Sequence, residues 1–140
     1  LALAIFRSVF GRNPETRFDK PHDVFLAVDD VPLTEGVQVM ALCTTLDRLI
    51  LGSRPFWGGA AGPIRSTSIA YPIVQPWRWA KPILYGKEVR NLPDFARSAA
   101  GRTVKVSSST EFVLDGEFFN GPETGFLLIE TGPELTYAVG

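Results

Sequence analysis

Phe112-Val113-Leu114-Asp115-Gly116-Glu117-Phe118-Phe119 is an apolar run, an Asp-Gly pair and a return run that starts on Glu117. Asp-Gly is the favoured two-residue loop of a type I′ hairpin, because both central residues need positive φ. Working outward, Thr103 to Ser107 precedes this hairpin, and Gly125 to Glu130 and Leu135 to Val139 follow it. All are short and rich in β-formers. Asn120-Gly121-Pro122 and Gly132-Pro133 punctuate them as turns. Short strands with regular turn signals predict an all-β sandwich or barrel. The expectation is a mostly-β chain, an antiparallel β-sandwich with one or two short helices, forming a single domain over residues 1–140.

Further upstream, Asp23 to Val31 and Gly36 to Thr44 read as two strands of a hairpin, turning near Asp29-Asp30. Thr45 to Leu51 reads as one helical turn. Gly52 to Pro63 is dense in Gly, Pro and aromatics and reads as a structured loop. Ile64 to Val74 alternates as a strand, although neither of its faces is cleanly apolar. Pro76 to Pro82 reads as irregular. Pro93 to Ala100 reads as a short helix stopped by Gly101. Leu1, Ile5 and Val9 share i, i+4 spacing and predict the tail of a helix over Leu1 to Phe10, ended at Gly11. With no initiating Met, the chain reads as a piece of something longer.

Composition narrows the function classes. Lys+Arg total 14 against Asp+Glu 15, a net charge of -1, which argues against a general nucleic-acid binder. Cys43 and His22 are each the sole residue of their type. That rules out an internal disulfide and a Cys/His zinc site and makes a cytoplasmic setting the simpler reading. No apolar run approaches the ~20 residues needed to span a bilayer as a helix.

Three stretches carry candidate chemistry. In Leu114-Asp115-Gly116-Glu117 the plain reading is a turn. The functional reading is two carboxylates beside an exposed glycine backbone, a group able to approach a triphosphate and hold Mg²⁺. Pro55-Phe56-Trp57-Gly58-Gly59-Ala60-Ala61-Gly62-Pro63 lacks both the GxxxxGK[ST] and the GxGxxG pattern. Phe56 and Trp57 there either plug one end of the fold or line a ligand pocket. Trp77-Arg78-Trp79-Ala80-Lys81 interleaves indoles with cations, and Arg78, Lys81, Lys87 and Arg90 against Glu88 give a local +3. It reads as a solvated connection, as a membrane-interface segment, or as a single-strand stacking platform.

Phe112-Val113-Leu114-Asp115-Gly116-Glu117, followed by Gly132-Pro133-Glu134-Leu135-Thr136, resembles the C-terminal domain of the diacylglycerol kinase, sphingosine kinase and bacterial lipid kinase superfamily. Val28-Asp29-Asp30 stands where many members carry a Val-Asp-Gly turn. Thr45-Leu46-Asp47-Arg48-Leu49, Leu51-Gly52-Ser53-Arg54 and Pro55-Phe56-Trp57-Gly58 are similar to a bacterial branch. The resemblance implies a two-domain, ATP-dependent enzyme. An N-terminal nucleotide-binding domain of the same polypeptide would hold the ATP, and a C-terminal β-sandwich would hold the lipid substrate. It implies that Asp115, Gly116 and Glu117 lie near the ATP phosphates. Asp115 and Glu117 would serve Mg²⁺, and Glu117 would be the catalytic carboxylate. Phe56, Trp57, Trp77, Arg78 and Trp79 are the expected lipid or peripheral-membrane contacts, placing the protein in the cytoplasm or at the inner membrane face.

The sequence departs from the family in two places. It holds no Gly-Gly-Asp-Gly-Thr nucleotide loop, and Ser66 to Gln75 contains no acid where many members carry a functional one. The isolated chain is therefore expected to be inactive. The rival reading is a non-catalytic lipid- or membrane-binding module. A lipocalin-type barrel fits the irregular middle of the chain poorly.

Overall fold

The computed structural model describes residues 21–108 and 110–133. The helix expected over Leu1 to Phe10 and the strand expected over Leu135 to Val139 lie outside the described residues.

The described chain is mostly β and antiparallel throughout. β1 (His22–Val28), β2 (Val31–Thr44), β3 (Ile64–Ala70), β4 (Ala96–Gly101), β5 (Thr103–Ser107) and β8 (Leu127–Glu130) form a six-stranded sheet in the order β4-β3-β2-β1-β5-β8. β6 (Phe112–Leu114) and β7 (Glu117–Phe119) form a separate two-stranded sheet. One α-helix, α1 (Pro76–Tyr85), and a short 3₁₀ segment, Ile50–Gly52, complete the described elements. The six-stranded sheet is open, so the barrel alternative falls away.

β2 is the longest strand, at 14 residues, and its two halves have different partners. Val31 to Gln38 pair with β1, and Gln38 to Thr44 pair with β3, with an irregularity in register between Gln38 and Met40. That extra residue exchanges the faces, so Ala41 and Cys43 join the side that Leu26 and Val28 occupy. On this first face Leu26, Val28, Cys43, Ile64 and Val104 form a buried cluster. On the second face Ile69, Ile83 and Ala96 form another, with Trp57, Trp79 and Phe95 packed against it.

β3 explains its own ambiguous pattern. Ser66, Thr67 and Ser68 are all buried, but the first two have partners. Thr67 Oγ1 donates to the Pro55 carbonyl at 2.6 Å and lies 3.0 Å from Ser98 Oγ, and Ser66 Oγ contacts Cys43 Sγ at 3.4 Å. Hydroxyls that meet partners in the interior avoid most of the cost of burial.

Three expectations are corrected. Pro76 to Pro82 is not irregular: α1 starts with Pro at its first turn, where the missing N–H leaves no bond unmade. It carries Pro82 in its second half, buries Ile83 and half-buries Trp79. Its last carbonyls are met by Arg90, whose guanidinium donates to Pro82, Ile83 and Gly86. The region predicted as a helix over Pro93 to Ala100 instead enters β4. Its Ala-Arg-Ser-Ala-Ala-Gly sequence reflects a lack of space rather than helix propensity. A Cβ at Gly58 would stand 2.2 Å from the Ala99 Cα, and one at Gly62 would stand 2.2 Å from the Gly101 carbonyl carbon. The Gly-rich loop thus lies directly on the β4 backbone. Gly101 is a close-approach residue, not a helix stop: a Cβ there would meet Val28 at 2.4 Å. The turn predicted at Thr45 to Leu51 shrinks to a 3₁₀ segment, Ile50–Gly52, in which Leu51 sits at φ 59°.

Candidate functional site: an apolar pocket beneath a carboxylate-bearing turn

Asp115 and Gly116 take φ of 50° and 89°, the left-handed pair that a type I′ loop requires. The turn therefore forms as the sequence predicts. Phe112 pairs with Phe119 and Leu114 with Glu117. The two phenyl rings stack at 5.6 Å and 21°. Directly paired residues share one face of a hairpin.

That face looks onto a pocket of about 380 Å³. The hairpin contributes Phe112, Leu114 and Phe119, and the first face of the six-stranded sheet contributes Val24, Ala41, Cys43, Val106 and Ile129. The lining is almost wholly apolar, and the volume falls within the range of small-molecule sites. Because Leu114 lines the pocket and Glu117 is its cross-strand partner, Glu117 stands on the pocket side of the hairpin, next to the turn. Asp115, Gly116 and Glu117 are all exposed. The acids Glu111 and Glu130 also border the pocket. Residues 111–133 hold five acids, Glu111, Asp115, Glu117, Glu123 and Glu130, and no Lys or Arg.

The other predicted contacts lie elsewhere. Phe56 is buried, Trp57 is half-buried against the second-face cluster, and neither lines the pocket. Trp57 carries the Arg90 guanidinium over its ring at 5.3 Å. Trp79 packs edge-on against Phe95 at 6.3 Å, with Arg78 5.3 Å from its ring centre. Trp77 is exposed. The Trp77-Arg78-Trp79 stretch is thus split between core and surface by helical periodicity, and it belongs to the side of the sheet away from the pocket.

Cys43 is no nucleophile. Burial pushes its thiol up to about 11, with the Ser66 hydroxyl pulling weakly the other way. His22 pairs with Gln38, five residues along β2 from Cys43. At about 3.3 Å per residue that is too far for a base.

The turn fits part of a metal site. Among the described residues no group of three or more His, Cys, Asp and Glu side chains gathers to hold a metal ion. Asp115 and Glu117 offer two carboxylates, and a Cβ at Gly116 would meet no atom within 4 Å, so the space above its backbone is open. Two carboxylates completed by phosphate oxygens and waters suit Mg²⁺, which seldom takes an all-protein cage.

The pocket itself went unread in the sequence. Its signal was the run of alternating apolar residues in β1, β5 and β8, Val24 and Leu26, Val104 and Val106, Leu127 and Ile129, which make one continuous face.

No protein-family model matches this chain, and searches of the curated proteins and of the solved structures return no match. No helix among the described residues is long and apolar enough to cross a membrane.

Proposed function

We propose that this chain is the lipid-recognition domain of a diacylglycerol-kinase-like lipid kinase. The apolar pocket, with Glu117 at its hairpin rim, carries this reading. An aliphatic chain would enter between the sheet and the Phe112–Phe119 pair, gaining about 25 cal/mol for each Å² of apolar surface removed from water. Its hydroxyl end would remain near the Asp115-Gly116-Glu117 turn. ATP and Mg²⁺ would be presented by a nucleotide-binding domain elsewhere in the polypeptide. Bound there, Mg²⁺ would neutralise charge on the phosphates during transfer. The residues described here would orient the acceptor, keep water from its chain and supply carboxylates to the metal.

The test is phosphate transfer from ATP to diacylglycerol by the full-length polypeptide. Glu117→Ala should lower kcat about a hundredfold or more, the scale of losing one transition-state electrostatic contact, with the fold retained. Full activity in this variant would remove Glu117 from the site.

A second reading is favoured by the acid-free stretch Ser66 to Gln75. On it, the pocket binds lipid without transferring phosphate. A fluorescent long-chain probe separates the two. Ala41→Phe fills the pocket and should abolish probe binding on either reading, while only the kinase reading also expects ATP-dependent product.

A further inference from the structure

We infer that the surface around the Ile50-Leu51 loop tip is a docking surface for an anionic membrane, with that tip as the part that enters the lipid. This does not rest on the kinase reading. Ile50 is 77% exposed, Leu51 86% and Val89 93%, among the most exposed large apolar residues of the described chain. Leu51 is also held at a left-handed φ of 59°, a conformation that leucine seldom adopts. An exposed side chain has no packing to hold it there, so the backbone bonds of the loop do so. Leu49 N–H donates to Ser53 O at 2.8 Å, Gly52 N–H to Leu49 O at 3.1 Å, and Ser53 Oγ to Ile50 O at 2.9 Å.

The tip is fastened to α1. Arg54 N–H donates to Leu84 O at 2.7 Å, and the Arg90 guanidinium bonds Arg54 O at 2.6 Å as well as Gly86 O at 2.7 Å. Val89 lies between Glu88, which pairs with Arg54 at 3.1 Å, and Arg90. Loop tip, helix end and Val89 are therefore one bonded unit that presents apolar side chains.

The charge around it selects the partner. Residues 45–54 and 71–91 carry six cations, Arg48, Arg54, Arg78, Lys81, Lys87 and Arg90, against Asp47 and Glu88, a net +4. The rest of the chain then holds 8 Lys and Arg against 13 Asp and Glu. Exposed apolar tips on the two cation-rich stretches of an otherwise acidic chain match the charge of an anionic bilayer surface.

The test is co-sedimentation of the protein with vesicles of phosphatidylcholine, with and without about one-third phosphatidylserine. Binding is expected only to the anionic vesicles and should weaken as salt rises. Leu51→Glu and Val89→Glu should each cut the bound fraction about tenfold, with unchanged near-ultraviolet circular dichroism. Val31→Glu serves as the control: Val31 is 66% exposed but stands beside Asp29 and Asp30, and its variant should bind as the parent does. Failure of the parent protein to bind, or full binding by Leu51→Glu, would overturn the inference. So would a dimer that Leu51→Glu dissolves without any vesicle binding by the parent.

Discussion

The turn at Asp29-Asp30 and the turn at Asp115-Gly116 each place two successive residues at positive φ, yet their carboxylates meet different surroundings. Asp29 Oδ1 accepts the backbone N–H groups of Arg102 and Thr103, both at 2.9 Å, and the Thr103 hydroxyl at 3.2 Å. Asp30 pairs with Lys105. This first turn therefore stitches β1 and β2 to the start of β5. The second turn projects from strands of three residues, and its two carboxylates are exposed. Similar loop chemistry thus yields a structural rivet in one place and a candidate ligand site in the other. The difference lies in what packs behind the turn.

Replacing Glu117 and Asp29 in parallel tests that division most sharply. Glu117→Ala should lower transfer about a hundredfold without moving the thermal midpoint, whereas Asp29→Ala should lower the midpoint measured by calorimetry. Equal effects on stability would erase the distinction.

Crowding the first turn from beneath comes next. Gly101→Ala forces a methyl group against Val28 and the Asp29 carboxylate, and it should cost about 2 kcal/mol in urea unfolding.

Acid should also tell the turns apart. Hydrogen bonds from the Thr103 and then the Arg102 backbone lower the pKa of Asp29 below its ordinary value. A carboxylate with a lowered folded-state pKa contributes its stability in full above the unfolded value, about 3.9, and loses it as pH falls through the folded value. The parent protein should lose stability over that acid range, and Asp29→Asn should flatten this part of the curve.

The smallest effect is expected from Asp30→Gly, which relieves a left-handed non-glycine residue while removing an exposed ion pair. The two changes should offset to within about 0.5 kcal/mol.

Much of this architecture was legible in the sequence because local chemistry and tertiary structure agree there. The hairpins at Asp29 and Asp115 follow from their turn residues, and β5 and β8 from their β-rich runs. Where the two disagree, the sequence misleads. The prolines of α1 read as breaks, but its carbonyls are capped by Arg90 from a later loop. The small residues of β4 read as a helix because a strand that bears another backbone directly has no room for larger ones. At the candidate site Glu117 and its turn were legible, but the pocket was not. It depends on which strands become neighbours, and no local pattern places β8 beside β5. The interleaved Trp77 and Trp79 suggested one shared role, which the helix divides between surface and core.

The handover at Gln38 has a mechanical consequence. β1 and β3 grip successive lengths of β2 and overlap at that single residue, so the ladder behaves as two half-sheets joined by one strap. β1, β5 and β8, which border the pocket, form one half, and β3 and β4, which bear the helix and the Gly-rich loop, form the other. Amide protons in the two halves should exchange as separate cooperative units. A ligand wedged beneath the hairpin should slow exchange most in the first half, and reach the second through the Gln38 backbone and through the shared Leu26, Val28, Cys43, Ile64 and Val104 cluster.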